Sequence, residues 1–367
     1  MKAPSLTLGI EEEYQVVHPE TGKLTSFITE ILDEKEKGET EILPELHQAC
    51  VEVASRVCET VQDARAEVIR MRRLVRDRVG QSGLRIAASG THPFSTWSEQ
   101  KITPLDRYVG LREDLQEVAD RNLIFGMHVH VGIEDREFLI DAMNVSRYFL
   151  PHVLALSASS PFWEGRSTGL HSYRTIIWAN FPRTGIPMSF GSAGEYDHFV
   201  ETMVRSRTVE DSSKIWWDLR PSNRFPTLEF RVCDMCTRVD EVVCIAAIFQ
   251  AIVAKLWKLR QDNLTFRLYP EALMAENKWR AARYGIQGKL IDFGKQSEHP
   301  AKALIAEMVE WFLDDIVDDL GTRAEVEYAL RILKEGTSAD RQMAVYQERG
   351  DMAEVVRHLT RETTEGL

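Results

Sequence analysis

Several signatures are missing from this 367-residue chain, and each absence narrows what it can be. No apolar run approaches the roughly 18 residues of a membrane span, and the opening MKAPSLTLG has no signal-peptide core. A soluble, cytoplasmic protein without membrane partners is expected. Basic charge is in deficit: the formal net charge is −12, whereas a nucleic-acid binder carries a basic stripe. A nucleotide ligand stays open, because a few arginines can cluster on an acidic surface. No Gly/Ser-rich linker, internal repeat or low-complexity tract interrupts the chain, so one domain over residues 1–367 is expected. Cysteine is sparse and odd in number, at five, which suggests free thiols. Cys233 and Cys236 form a C-x-x-C, but the second pair of a zinc ribbon is absent, and packing is the expected role. No Walker loop occurs, and GSAGE at Gly191–Glu195 is too weak a glycine signal to replace one. If ATP binds, metal ions and side chains on a sheet must hold it.

What is present is a 44% hydrophobic fraction, enough for a substantial core, arranged in recognisable periods. Residues 5–17 alternate like a strand. Val57, Val61, Ala64, Val68, Met71 and Val75 recur at helical spacing, predicting an amphipathic helix from Val57 to Val79 with its arginines on the wet face. Strands are expected at residues 84–89, 127–133, 214–220 and 227–233. Helices are expected at about 106–121, at 136–158 despite Pro151, and at 240–262. The last third, from about residue 295 to 367, reads as mostly helical, with KALIAEMVEWFLDDIVDDLG amphipathic and the tail RETTEGL frayed. Strands separated by helices without regular βαβ alternation predict an α+β fold with a mainly antiparallel sheet.

The chemistry lies in how polar residues alternate on these strands. Side chains of a strand point to opposite faces in turn. In LGIEEEYQVV, Leu8, Ile10, Tyr14 and Val16 share one face with Glu12, while Glu11 and Glu13 take the other. In MHVHVGI, His128 and His130 oppose Met127, Val129, Val131 and Ile133; in TLEFRVC, Glu229 and Arg231 oppose Leu228, Phe230 and Val232. WWDLRP places Trp216, Asp218 and Arg220 together. Each pattern alone has an ordinary explanation: a solvated edge, a packed histidine pair, a cross-strand ion pair. Four strands that all oppose an apolar face with carboxylate, imidazole and guanidinium imply one polar surface suited to divalent cations and phosphates. The many acids favour Mg²⁺ or Mn²⁺ over zinc, and the arginines imply an anionic ligand. Glu45 and Glu52, seven apart in ILPELHQACVEVAS, would share a helix face; on a strand, a bend at Glu45 would be needed to bring both to one ion. Glu12 points to the apolar side and has no role in this pattern; an arginine of the packing helix would be one partner for it.

The blocks GIEEEYQVV, GTHPF, FGMHVHVGI, SASSPFWEGRSTGLHSYR, WWDLRPSNRFPTLEFRVCD and NKWRAARYG, in this order, resemble the glutamate–cysteine ligase type 2 family of carboxylate–amine ligases. That family is similar in turn to glutamine synthetase, which implies a curved antiparallel sheet with helices packed on its outer side. The resemblance implies that Glu13, Glu45 and Glu52 hold one Mg²⁺, and that Glu11, His128 and Glu229 hold a second nearer the transferred phosphate. It implies that His130 touches the nucleotide phosphates and that Arg220 and Arg231 neutralise the γ-phosphate in transfer. Arg174, after Ser172 and Tyr173, would meet a phosphate or a substrate carboxylate; Asn277, Lys278 and Arg280 would form a late basic block at the nucleotide. The implied activity joins glutamate and L-cysteine with ATP to give γ-glutamylcysteine through an acyl phosphate. A guanidino-type phosphotransferase, a zinc-dependent amidohydrolase using the H-x-H pair and a non-catalytic nucleotide module are the competing readings. An exposed sheet edge or the C-terminal helices could build a homodimer.

Overall fold

Ten residues, Leu8–Val17, form the central strand β1. The computed structural model describes residues 2–27, 31 and 41–367. Strands β2 (Leu43–Pro44) and β3 (Cys50–Ala54) make a hairpin along one edge of β1. On its other edge, β4 (Arg85–Ala87) pairs with Gln15–Val17 and β5 (Met127–Gly132) with Leu8–Glu12. Beyond β5 lie β7 (Thr227–Phe230) and then β6 (Leu219–Pro221), so the order is β6-β7-β5-β1-β3-β2, antiparallel at every step. The expected α+β class with a mainly antiparallel sheet is what forms.

Register explains why one face is polar. Glu11 lies opposite His128, Glu13 opposite Glu52, and His130 opposite Glu229, which itself faces Arg220. Directly paired residues project to the same side. The other side carries Leu8, Ile10, Tyr14, Val51, Val53, Met127, Val129, Val131, Leu228 and Phe230, all buried. Two helices pack on that apolar side: α1 (Val61–Gln81) and the long α5 (Val239–Gln261). Between them in the chain run α2 (Asp106–Leu115), α3 (Arg136–Ser146) and α4 (Leu150–Ser157). The stacked rings of Phe230 and Phe249, with centroids 3.9 Å apart, mark the contact between sheet and α5. Helix α5 is apolar and long enough to cross a membrane, but most of its surface is buried in the protein, as a core helix requires. The chain then continues through α6 (Glu271–Tyr284), α7 (Arg323–Glu335), α8 (Ser338–Arg349) and α9 (Met352–Thr364).

Several boundaries differ from the sequence pattern for physical reasons. Helix α1 starts at Val61, not Val57, because Thr60 and Asp63 form a capping box, and Val57 is left 73% exposed. The helix expected at 106–121 breaks at Gln116, whose φ of 52° lies in the left-handed region. The 136–158 segment becomes two helices joined by a 3₁₀ turn at Arg147–Phe149, since Pro151 fits only the first turn of the second. The strand expected at 214–220 divides at Asp218. Trp216–Trp217 pairs in parallel with Thr184–Gly185, and only Leu219–Pro221 joins the main sheet. KALIAEMVEWFLDDIVDDLG is not one helix: a π turn at Met308–Phe312 separates Ala301–Glu307 from Asp314–Val317. The tail is not frayed either, because Glu362 and Thr363 are buried in α9. All five cysteines are free and buried.

Arg72 is a further correction. Helical spacing places it with the solvated arginines of α1, yet it is wholly buried and reaches back to the sheet. Its Nη2 donates to Glu12 Oε1 at 2.7 Å and its Nε to the same oxygen at 3.1 Å. The Tyr14 hydroxyl donates to Glu12 Oε2 at 2.6 Å. The remaining guanidinium hydrogens go to the carbonyls of Cys236, Thr237 and Thr363. The odd glutamate on the apolar face thus ties β1, α1, the segment before α5 and the C-terminal helix to one point.

Candidate active site

Strand alternation delivers the polar residues to a cavity of about 360 Å³ on the sheet face away from α1 and α5. Its floor is Glu11, Glu13, Glu52, His128, Arg220 and Arg231. One wall comes from the turn Glu45–His47, from Arg107, Tyr108 and Leu111 of α2, and from residues 122–125. Arg174, Trp178, Phe181 and Trp216 also line it. A second cavity, of about 320 Å³ and largely apolar, adjoins it across Glu11. It is bounded by residues 7–11, by Ala54–Val57, by His130 and Gly132, and by Phe225–Thr227.

The acids fall into two groups. Glu13, Glu45 and Glu52 border the first cavity together. Glu45 and Glu52 do not share a helix face: Glu45 follows β2, a turn intervenes, and Glu52 lies within β3, so the strand-with-bend alternative holds. Burial and then the Glu45 charge push the Glu13 carboxyl up to about 7. Burial, with Glu45, Glu11 and Glu13 behind it, raises Glu52 well above the carboxylate range. Glu45 is fixed by the Tyr108 hydroxyl at 3.1 Å and by the backbone N–H of Leu46. Among the described residues no ion pair is formed by these three mutually repelling carboxylates, although Arg174, Arg231 and Arg107 act on them from a distance, and together they form an oxygen donor set suited to a hard divalent cation.

The second group surrounds Glu11. His128 Nδ1 lies 2.8 Å from Glu11 Oε2, and His130 Nε2 lies 3.5 Å from Oε1 without a hydrogen bond. Burial works against ionisation of Glu11, but the hydrogen bond to His128 and the closeness of both imidazoles hold its carboxyl well below the usual range. Burial, and next Arg231, press His128 down to about 4. The ligand atoms of Glu11, His130 and Glu229 lie within 4.8 Å of one another, a spacing fit for a metal ion. This group differs from the set that the family resemblance implies: His130 stands in it where the resemblance names His128. The cause is register, since His130 sits directly opposite Glu229, while His128 turns towards Arg231 Nη1 at 3.5 Å.

Glu229 also anchors both arginines. Arg220 grips it with Nε at 2.8 Å and Nη2 at 3.1 Å, and Arg231 Nη1 donates to its Oε1. Burial opposes the charge of Glu229, but Arg231 and Arg220 hold its carboxyl far below the carboxylate range. The Nε of Arg231 makes no hydrogen bond. Arg174 is 4% exposed, lines the first cavity and leaves its Nε unpaired. A buried, incompletely paired guanidinium favours an anionic ligand.

Gly126 makes room for this group, because a Cβ there would lie 2.4 Å from Arg174 Nη2. Its backbone N–H also donates to Glu13 at 2.6 Å. Gly126→Ala should therefore displace Arg174 and lower kcat/KM by about 10², the scale of an ångström-sized misplacement at a reacting centre. Steady-state kinetics beside a melting curve would check this, and wild-type kinetics would show that Arg174 has no fixed position to lose.

The late basic block lies elsewhere. Asn277 exchanges two hydrogen bonds with the backbone of Ile291, and Arg280 pairs with Glu276 and Glu298 at the surface. Lys278 Nζ donates to buried Asp218 at 2.6 Å. None of the three borders either cavity. Helix α6 turns them to the hairpin Lys289–Pro300 and the protein interior instead. Asp218 leaves the expected face because the strand divides there. Conversely, sequence reasoning missed His47, Arg107, Tyr108, Asn122, Trp178 and Phe181, which reach the cavity from turns and helices far apart in sequence, with no periodic signal to mark them.

Comparison with known proteins follows the same outline. The model of glutamate–cysteine ligase family 2 matches residues 7–358. A relative from Herpetosiphon aurantiacus, provisionally named glutamate–cysteine ligase 2, is 55% identical over 98% of this chain and 94% of its own. One from Solibacter usitatus with the same provisional name is 50% identical over 99% and 95%. Among solved structures, the glutamate–cysteine ligase of Francisella tularensis in complex with AMP superposes with a TM-score of 0.72 at 12% identity, covering 100% of this chain and 90% of that one. A bifunctional glutathione synthetase from Pasteurella multocida gives 0.68 at 16% identity, over 98% of this chain and 53% of that one. At such identities these two report the fold.

Proposed function

The chain belongs to glutamate–cysteine ligase family 2, and from that premise we propose that it joins a carboxylate to an amine at the expense of ATP, with glutamate and L-cysteine as the default pair. The observation that carries this reading is the sheet face itself: two groups of acids meet at Glu11, beside an Arg220–Glu229–Arg231 cluster. Membership in a ligase family favours this over a zinc hydrolase or a simple phosphotransferase.

A carboxylate is a poor electrophile. In the proposed reaction its oxygen attacks the γ-phosphorus of ATP, the bond to the bridging oxygen breaks, and ADP leaves. The amine nitrogen then attacks the acyl carbon, phosphate departs with the carboxylate oxygen, and the amine loses a proton. Bringing a carboxylate to a triphosphate costs several kcal/mol of repulsion unless positive charge intervenes. Arg220 and Arg231 supply such charge from one side, and Arg174 orients the carboxylate substrate from the wall. Glu13, Glu45 and Glu52 would hold one Mg²⁺ or Mn²⁺; Glu11 and Glu229, with an imidazole of the His128/His130 pair, would hold another. When bound, these ions neutralise and align the phosphates. The apolar second cavity, edged by Phe225 and Val57, suits a nucleotide base, with His130 between it and the reacting phosphate.

Product analysis after incubation with Mg-ATP, glutamate and individual amino acids tests the reading; phosphate release that ignores every added amine would oppose it. Arg231→Lys or Arg220→Ala should lower kcat by on the order of 10², since a planar fork aimed at developing charge is lost. A coupled ADP assay would show it, and unchanged turnover would remove the arginines from the chemistry.

A further inference from the structure

Three of the sequence blocks converge on Asp234, the last residue of WWDLRPSNRFPTLEFRVCD, which is fully buried and borders neither cavity. Its Oδ2 accepts from the Ser159 backbone N–H at 2.9 Å and from the Ser160 hydroxyl at 2.7 Å. Its Oδ1 accepts from the Ser172 hydroxyl at 2.7 Å. Gly90, at the head of GTHPF, lets the backbone lie against this carboxylate, since a Cβ there would come within 2.7 Å of Asp234 Cγ. Burial pushes the Asp234 carboxyl up, and the charge of Arg174 is the foremost influence against it.

Proton counting gives this cluster a direction. A serine hydroxyl has one hydrogen to donate. Ser160 and Ser172 both give theirs to Asp234, so each oxygen is left only to accept. Ser160 Oγ accepts from the Arg174 backbone N–H at 3.0 Å, and Ser172 Oγ accepts from the Thr175 hydroxyl at 2.8 Å. The carboxylate thereby pins the first turn of the short helix Arg174–Trp178 at two consecutive residues. The far end of the Arg174 side chain is tied to the same residue by another route. Gly126, whose lack of a Cβ makes room for Arg174 Nη2, pairs with Asp234 across an antiparallel bridge and donates its N–H to Glu13. The bonds of Asp234 go to the serines, and Arg174 Nε stays unpaired.

Resting on the ligase reading, in which Arg174 orients the carboxylate substrate, we propose that Asp234 is the positioning residue of Arg174. Through Ser160, Ser172 and Gly126 it fixes where that guanidinium meets the substrate acid, and it touches no substrate itself. A long side chain is precise only when the backbone that carries it is held, and an ångström of misplacement is enough to weaken a reacting geometry.

The test compares Ser160→Ala, Asp234→Ala and Asp234→Asn with Ser159→Ala, a control whose hydroxyl serves Gly90 and Met235 and not Arg174. With Mg-ATP, glutamate and L-cysteine, Ser160→Ala should raise the KM for glutamate about tenfold and leave those for ATP and the amine within about threefold. Asp234→Ala should raise it at least as far, and Asp234→Asn should recover most of the loss, because its amide oxygen can still accept from Ser159 and Ser160. Ser159→Ala should leave the glutamate KM near wild type. The Arg174 Nε–H signal in a ¹H–¹⁵N spectrum, assigned by its loss in Arg174→Lys, should move in Ser160→Ala and keep its place in Ser159→Ala. Should Asp234→Ala fail to fold, Ser160→Ala and Asp234→Asn decide the matter. A glutamate KM unmoved in Ser160→Ala, a rise shared equally by all three substrates, or an unmoved Nε–H signal would overturn the proposal. Wild-type enzyme that releases no ADP with glutamate and an amine would instead defeat the ligase reading, and the Nε–H signal would still decide whether Asp234 holds Arg174.

Discussion

Glu229→Gln should lower ATP turnover by on the order of 10³ or more, with the folded structure kept. The carboxylate is placed to do two things. It is one of three groups whose ligand atoms lie within 4.8 Å of one another, and it is the common acceptor for Arg220 and Arg231. Glutamine preserves its volume and one acceptor oxygen, but it removes the negative charge that a cation needs and that keeps two neighbouring guanidinium groups from repelling. Folding should tolerate the change, because Arg220 also donates to the carbonyls of Ser213 and Ile215 and the cluster opens onto a cavity that water can enter. Kinetics, circular dichroism and a melting curve on the same preparation separate the two effects. Near wild-type turnover would remove Glu229 from the chemistry, and an unfolded variant would show its role to be structural.

Glu12, next to Glu13 in the chain and so on the other face of the strand, should behave in the opposite way. Glu12→Ala should cost about 3–5 kcal/mol of stability, the scale for breaking a buried ion pair and stranding its partner. The stranded group is Arg72, fully buried at the junction of β1, α1 and the C-terminal helix. Arg72→Met should cost a similar amount, since it strands Glu12 and leaves the carbonyls of Cys236, Thr237 and Thr363 short of a donor. The double variant should be less destabilised than the sum of the two, because neither charge is then left alone. Glu12→Gln should be milder than Glu12→Ala, as the amide can still accept from Arg72. Denaturant unfolding measures all of this. Activity per folded molecule should stay within a few-fold of wild type, and a loss as deep as at Glu11 or Glu13 would contradict the separation of faces.

The face of each strand was legible because alternation by two is a local property. Glu11, Glu13, His128, His130, Glu229 and Arg231 each face the side their position predicts. Alternation failed where a strand broke. At Asp218 the chain leaves one pairing for another, so the side chain points inward to Lys278 and not to the cavity. Helical spacing likewise gave the buried stripe of α1 but misjudged Arg72, because a long side chain at its margin can turn inward when a buried carboxylate awaits it. The imidazole beside Glu11 and Glu229 depends on inter-strand register, which no single strand's pattern contains. His47, Tyr108 and Asn122 were invisible for a similar reason: tertiary packing alone brings a turn, a helix and a loop to one cavity.

The central claim is that an oxygen of the carboxylate substrate leaves on phosphate when the amide forms. Glutamate labelled with oxygen-18 in both carboxylates, incubated with Mg-ATP and a coupled amine, tests it by mass analysis of the released phosphate. The proposed chemistry predicts one labelled oxygen per phosphate, ADP as the other product, and release that depends on the amine. Phosphate carrying only solvent oxygen, or cleavage of ATP to AMP and pyrophosphate, would contradict it.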